Sequence, residues 1–141
     1  VIEASPYVFN HNVETIPRLY SEVRPGADYD MSLGLLAMVK QVDPSIITKS
    51  GLMIGLSENI KEVETVLADL ASAGVDALTI GQYMQPALGN VQVSKYYEPD
   101  VFEYLSERGR SLGIKHVLAG PLVRSSYRAA ELLKRIRNDF P

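Results

Sequence analysis

Short apolar runs alternate with amphipathic segments along this chain, and Gly, Pro or Asn separates most of them. The run at residues 7–9 follows Pro6 and predicts a short buried strand, ending in the polar stretch Asn10-His11-Asn12. Residues 14–23 fit one short helix, with Pro17 tolerable only in its first turn. Arg24-Pro25-Gly26-Ala27-Asp28 reads as a turn. Residues 30–42 then predict a helix with Met31, Leu35, Met38, Val39 and Val42 on its apolar face, stopped by Pro44.

The middle of the chain has the clearest pattern. Residues 46–54 predict a buried strand ended by Gly55. Ser57 or Asn59 can cap a helix striped by Ile60, Val63, Val66, Leu67 and Leu70, and Gly74 closes it. Residues 75–80 predict the next strand, followed by Gly81-Gln82-Tyr83 and a long polar connection over 84–98. Pro99 opens a helix with Phe102, Leu105 and Leu112 inward, and Gly113 ends it. Residues 114–119 predict the last strand and 127–140 the last helix, striped by Ala129, Leu132, Leu133, Ile136 and Phe140.

This order, βα(α)–βα–βα–βα, spaces the strand starts about 30 to 40 residues apart, as parallel α/β sheets do. Right-handed crossovers bring the strand C-termini to one edge, where barrels of this kind place their chemistry. The residues just past those ends are Asn10-His11-Asn12, the stretch 55–58, Gln82-Tyr83 and the stretch 124–127. Four units make half of an eight-unit barrel or most of a smaller open one. Half a barrel leaves two sheet edges exposed, so the remainder is expected N-terminal to this stretch.

Composition narrows the function classes. A chain of 141 residues, 46% apolar and 22% charged, is one globular domain or part of one. Its net charge of −3 gives no electrostatic footprint for nucleic acid or an anionic membrane. No apolar run approaches the roughly 18 residues of a membrane span. The start, Val1-Ile2-Glu3, has neither an initiator Met nor a signal pattern, which suggests a fragment or a processed chain. With no cysteine, the chain by itself builds no disulfide and no thiolate metal site.

Several polar groups interrupt the apolar pattern. Lys49 lies inside a strand and needs an ion-pair partner, a ligand or solvent in a barrel mouth, because an isolated buried ammonium is costly. Asn10-His11-Asn12 is equally compatible with a ligand-binding edge and an Asx-rich turn. Glu14, Arg18 and Arg24 could form a binding cluster, although such groups on a helix are more often solvated. Gly55-Leu56-Ser57-Glu58 resembles a phosphate-cradling loop only weakly, having one Gly before its helix. His116 reads as a core histidine and Tyr96-Tyr97 as packing over the following helix. Ser125 and Ser126 suit the N-cap of the last helix. No nucleophile elbow, zincin motif, P-loop or dinucleotide fingerprint occurs. Chemistry alone therefore reads part of a β/α barrel with a polar mouth.

Five stretches carry a resemblance. Phe9-Asn10-His11-Asn12-Val13-Glu14-Thr15, Val23-Arg24-Pro25-Gly26-Ala27-Asp28-Tyr29, Thr48-Lys49-Ser50-Gly51-Leu52-Met53, Gly81-Gln82-Tyr83 and Gly120-Pro121-Leu122-Val123-Arg124-Ser125-Ser126-Tyr127 resemble lipoyl synthase in order and approximate spacing. The resemblance covers nearly the whole chain. It implies that residues 1–141 are one incomplete domain, the C-terminal half of a radical-SAM partial (β/α) TIM-like barrel with parallel strands and helices outside. It also implies a sulfurtransferase that cleaves S-adenosylmethionine at one 4Fe-4S cluster to a 5′-deoxyadenosyl radical. That radical abstracts hydrogen from carbons six and eight of an octanoyl chain on a carrier lysine, and a second 4Fe-4S cluster supplies both sulfurs. The cysteine ligands of both clusters lie in the family's N-terminal half, so this polypeptide alone is expected to be inactive.

For individual residues, the resemblance implies that Ser126, or alternatively Ser125, gives its oxygen to an iron of the auxiliary cluster, with Arg124 beside it offsetting negative charge. It places Asn10, Asn12, Lys49 and Gln82, and after them Arg18 and Arg24, in the S-adenosylmethionine or octanoyl-lysine cavity, and names no catalytic side chain. The implied partners are an octanoylated lipoyl-carrier domain or H protein and an electron donor such as ferredoxin or flavodoxin, with no nucleic acid and no membrane. The implied compartment is a bacterial-type cytoplasm, with mitochondrion or plastid as alternatives. Two departures stand out. The family's Pro-Ser and His-Leu-Pro-Val stretch is replaced by Pro86-Ala87-Leu88-Gly89-Asn90-Val91-Gln92-Val93, and its Gly-Leu-Gly-Glu reads Gly55-Leu56-Ser57-Glu58. The alternatives are another radical-SAM enzyme and a non-catalytic divergent barrel fragment.

Overall fold

The computed structural model describes residues 8–124 and Lys134. Among them, the strands β1 (Val8–Asn10), β2 (Ile47–Ile54), β3 (Ala77–Gln82) and β4 (His116–Gly120) form one all-parallel sheet in that order. A 3₁₀ turn (Pro17–Leu19) and the helices α1 (Tyr20–Val23) and α2 (Tyr29–Val42) connect β1 to β2. Helix α3 (Ile60–Ser72) connects β2 to β3, and α4 (Pro99–Ser111) connects β3 to β4. The α/β class and the parallel half-barrel order agree with the expectation from sequence.

Alternation along the strands separates two faces. On one, Leu52, Ile54, Leu78 and Ile80 pack with Leu36 of α2, Val63, Val66, Leu67 and Leu70 of α3, and Phe102 and Leu105 of α4. Burying each of these large side chains stabilises the fold by about 1.5–3 kcal/mol, so this helix-covered face is the main core. On the other, Asn10, Lys49, Ala77 and His116 align in one row, with Gly51, Thr79 and Leu118 in the next and Met53, Gly81 and Gly120 above them. Small and polar residues dominate that second face, and among the described residues Val8, Ile47 and Ala77 form an apolar patch there.

The α3 unit shows how sequence sets an element. Asn59 and Glu62 form a reciprocal capping box, with Glu62 N donating to Asn59 Oδ1 at 2.9 Å and Asn59 N donating to Glu62 Oε1 at 3.0 Å. Asn59 is therefore the cap, and Ser57 is not.

Three other expectations need correction. Residues 14–23 do not form one helix, because Glu14 is bridged to Leu52 of β2 and helical structure starts only at Pro17. Helix α2 buries Tyr29, Ser32, Leu36 and Val39, while Met31, Met38 and Val42 are 74%, 44% and 60% exposed. Its orientation follows from Asp28, which caps it through Met31 N at 3.1 Å, and from the Tyr29 hydroxyl, which donates to Asp69 of α3 at 2.9 Å. The last two strands begin two residues later than expected, so Gln82 lies within β3 and His116 opens β4 half-buried. Ser125, Ser126 and nearly all of the expected last helix lie outside the described residues.

At the strand N-terminal ends, Lys40 Nζ lies 2.5 Å from Asp76 Oδ2 and donates to the Ile46 carbonyl at 2.8 Å. Asp76 Oδ2 also accepts the Thr48 N–H at 2.9 Å, so this largely buried pair fastens α2 to β2 and β3. Removing one member of such a pair strands the other charge. Lys40→Met is expected to lower the unfolding free energy by about 3 kcal/mol, measured by denaturant titration. Arg108→Gln breaks a surface pair of 3.7 Å to Glu64 and is expected to cost about 0.5 kcal/mol or less. Equal effects would show that the Lys40–Asp76 contact is no fastener.

Candidate functional site

At the C-terminal edge of the sheet a cavity of about 110 Å³ opens on the polar face, lined among others by Asn12, Glu14, Gly51, Thr79, Gly81 and Arg124. Pockets that enclose a whole small-molecule ligand run from about 300 Å³, so this cavity is one part of a site, able to take one polar group of a larger ligand.

Its first wall is the chain leaving β1. His11 N donates to the Lys49 carbonyl, Glu14 N to the Gly51 carbonyl and Met53 N to the Glu14 carbonyl, each at 2.9 Å. These bonds hold Glu14 in the left-handed region, at φ 71°. That conformation costs an L-residue about 1–2 kcal/mol. Beside it, Asn12 Oδ1 is a buried acceptor without a hydrogen-bond partner. Leaving such an atom unpaired costs about 1–3 kcal/mol. Strain and an unpaired acceptor on one cavity wall mark a place built for a donor-bearing ligand.

The floor depends on absent side chains. A Cβ on Gly51 would lie 2.9 Å from Asn12 Oδ1 and 3.2 Å from Thr79 Oγ1. A Cβ on Gly81 would lie 2.1 Å from the Val123 carbonyl oxygen. The segment after β4 thus folds back over β3 and brings Arg124 to the cavity, where Nη1 donates to Val123 O at 2.7 Å and to Gln82 O at 3.3 Å. A carboxylate and a guanidinium, Glu14 and Arg124, line the same cavity. That combination suits a ligand carrying both signs of charge.

Behind the floor, the loop 55–58 is closed on itself. Glu58 is buried and accepts Gly55 N and Leu56 N at 3.0 Å, and the Tyr97 hydroxyl donates to it at 2.9 Å. Burial, and after it the neighbouring Glu58, push the Tyr97 hydroxyl up to about 12. Two N–H groups that a phosphate would use are therefore taken by the loop's own carboxylate, which answers the phosphate-cradle alternative. Tyr97 is a tie between loops, and its neighbour Tyr96 is exposed at 64%.

Of the residues singled out from sequence, Asn12 and Arg124 meet at the cavity. Lys49 is 8% exposed and shares a row of the polar face with Asn10, which ends β1 exposed; burial lowers the ammonium pKa of Lys49. Gln82 faces elsewhere, its amide donating to Lys95 O at 2.9 Å and accepting Tyr97 N at 3.0 Å. Arg18 lies on the outer surface, donating to Glu62 at 2.9 Å and to Ser57 O at 2.9 Å. Arg24 stands behind Asn12, with its guanidinium 5.4 Å from the centre of the Tyr20 ring. His11 pairs with the Ser32 hydroxyl at 3.0 Å, and burial lowers its pKa. Thr79, Gly51 and Gly81 join the site without being sequence candidates, and Glu14, expected as a solvated helix-surface group, lines the cavity instead. Glycines inside two strands were the available signal of close approach.

Ser57 adopts φ 84°, in the left-handed region that favours glycine. Ser57→Gly relieves that strain and is expected to raise stability by about 0.5–1 kcal/mol, read as a higher denaturation midpoint at unchanged slope. A lower midpoint would mean that the serine side chain contributes more than its backbone costs.

No family model matches the chain. Among curated proteins, the lipoyl synthase of Caldanaerobacter subterraneus subsp. tengcongensis is 55% identical over 129 residues, covering 92% of this chain and 45% of its own length. That of Thioalkalivibrio sulfidiphilus is 51% identical over 134 residues, covering 95% and 42%. Lipoyl synthase 2 of a Nostoc species is 50% identical over 131 residues, covering 93% and 44%. The chain thus spans somewhat less than half the length of these relatives. With half of its residues identical across nine-tenths of its length, the chain belongs to the lipoyl synthase family and corresponds to that enzyme's C-terminal half.

Proposed function

We propose that these residues form the C-terminal half of the barrel of a radical-SAM lipoyl synthase, which inserts two sulfur atoms at carbons six and eight of a protein-bound octanoyl-lysine. The observation that carries this reading is the convergence of four of the five resembling stretches, through Asn12 and Glu14, Gly51, Gly81 and Arg124, on one cavity at the strand C-terminal edge. S-adenosylmethionine offers what that cavity lacks. The amino-acid end of the molecule suits it: the ammonium can donate to Asn12 Oδ1 and Glu14, and the carboxylate beside it can accept from Arg124. Given one electron from a reduced 4Fe-4S cluster held by thiolates beyond this sequence, it would release methionine and supply the 5′-deoxyadenosyl radical for hydrogen abstraction. The chain's part is to orient the molecule over the floor at Gly51 and Gly81 and to exclude water there.

The two 4Fe-4S clusters of this reading require thiolates from beyond this sequence, which contains no cysteine. Among the described residues no group of three or more His, Cys, Asp or Glu could hold a metal ion. Ser126, with Ser125 as the alternative, remains the proposed iron ligand contributed by this half. The proposed partners are an octanoylated carrier domain or H protein and a ferredoxin- or flavodoxin-type reductant. Among the described residues no helix is long and apolar enough to cross a membrane.

Turnover of the full-length enzyme with reconstituted clusters and an octanoyl-lysine peptide tests the reading by mass spectrometry. The expected products are 5′-deoxyadenosine and a lipoyl-lysine peptide. 5′-Deoxyadenosine without sulfur insertion would assign another radical-SAM reaction, and neither product would mean a non-catalytic barrel. Asn12→Ala is expected to weaken S-adenosylmethionine binding by about tenfold while leaving the melting temperature equal or higher, since it removes an unpaired buried acceptor. Unchanged affinity would remove Asn12 from the ligand site.

A further inference from the structure

We infer that Tyr20 and Arg24 are a coupled pair of positioning residues, holding from behind the segment that carries Asn12 and Glu14 into the cavity. The inference rests on the reading of that cavity as the S-adenosylmethionine site. Neither side chain lines the cavity; both act through the backbone at residues 12 and 13.

The need for such a brace follows from the hydrogen-bond pattern. Beyond Asn10 the chain bonds to β2 through His11 N and through both backbone groups of Glu14. The Asn12 carbonyl takes no part in those bonds, and the Val13 carbonyl accepts only the local Thr15 N–H at 2.8 Å, which does not tie it to β2, although both lie next to the strained φ of Glu14. The Tyr20 hydroxyl donates to Val13 O, and Arg24 Nη1 reaches Asn12 O at 3.4 Å. The same Arg24 nitrogen donates to the Tyr20 oxygen at 3.2 Å, so the three groups form a chain from guanidinium to phenol to carbonyl. A charged donor at its head polarises the phenol and strengthens the second bond.

Local sequence supplies this arrangement. One turn of α1 and the bond from Arg24 N to Tyr20 O at 2.8 Å put positions 20 and 24 on one face. The guanidinium also lies over the Tyr20 ring, 5.4 Å from its centre. Tyr20 in turn meets Tyr29 edge-on at 5.6 Å, and Tyr29 is fixed by Asp69. The brace therefore runs from α3 through α2 and α1 to the cavity wall. Val13 N also donates, at 3.2 Å, to the buried hydroxyl of Ser50, a β2 residue that shares the helix-covered face with Leu52 and Ile54, so residue 13 is held at both backbone groups.

Calorimetric titration of the full-length enzyme with S-adenosylmethionine tests the pair. Tyr20→Phe keeps the ring and removes the hydroxyl; Arg24→Lys keeps the charge and removes the fork. Each is expected to weaken binding about three- to tenfold, and the double variant to be no weaker than the worse single one, because the two act in series. Lys40→Met, destabilised at the opposite end of the sheet, is the control and is expected to retain wild-type affinity. Wild-type affinity in Tyr20→Phe and Arg24→Lys, or fully additive losses, would overturn the pairing.

Amide hydrogen exchange separates this outcome from failure of the ligand reading. Without any ligand, the Glu14 N–H bonded to Gly51 O is expected to exchange faster in Tyr20→Phe than in the wild type. Unchanged exchange there would overturn the brace. A wild-type protein that does not bind S-adenosylmethionine, together with faster exchange in the variant, would overturn the ligand assignment and keep the brace.

Discussion

The polar end of this sheet depends on one close approach. The Val123 carbonyl lies where the first side-chain carbon of any residue other than glycine at position 81 would be, 2.1 Å away. Only because β3 carries no side chain there can the chain after β4 fold inward and set Arg124 opposite Asn12 and Glu14. Gly51 does the same on β2 for Asn12, at 2.9 Å. The cavity is thus made by two missing Cβ atoms in neighbouring strands. Glycine weakens a strand by about 0.5–1 kcal/mol per position, a cost offset by the dense packing of the opposite face.

The two ends of the sheet divide their tasks. At the N-terminal end, Lys40, Asp76 and Thr48 satisfy one another in a largely buried network. The helix-covered face is filled by Leu, Ile, Val and Phe side chains that are nearly all fully buried. At the C-terminal end the account reverses. There lie the left-handed Glu14 and Ser57 and the unpaired Asn12 Oδ1. Free energy stored at one end and recovered at the other is how a barrel scaffold keeps a binding edge poised without unfolding.

Much of the fold was legible in the sequence because its signals are local and repeated. The stripe of Ile60, Val63, Val66, Leu67 and Leu70, the Gly and Pro stops and the strand spacing sufficed for a parallel half-barrel order. The orientation of helix α2 is not legible locally, because its sequence offers two apolar flanks and the Asp28 cap and the tertiary bond from Tyr29 to Asp69 select between them. Glu14 was read as helical and solvated because nothing local announces that Gly51 and Met53 will bind both its backbone groups. The site was legible in part. Asn12 and Arg124 follow from position past strand ends, whereas the tie made by Gln82 and the backing role of Arg24 depend on partners 12 to 15 positions away. The proposed chemistry of sulfur insertion rests on resemblance and not on local pattern, since among the described residues there is no metal-binding cluster.

The space left at Gly81 lets the chain after β4 bring Arg124 to the proposed ligand site. The most direct measurement of this is the affinity of the full-length Gly81→Ala enzyme for S-adenosylmethionine, taken by calorimetry beside its circular dichroism spectrum. An added methyl that must displace the 122–124 segment is expected to weaken binding by about tenfold or more, while the spectrum stays that of the wild type. Wild-type affinity in that variant would contradict the account.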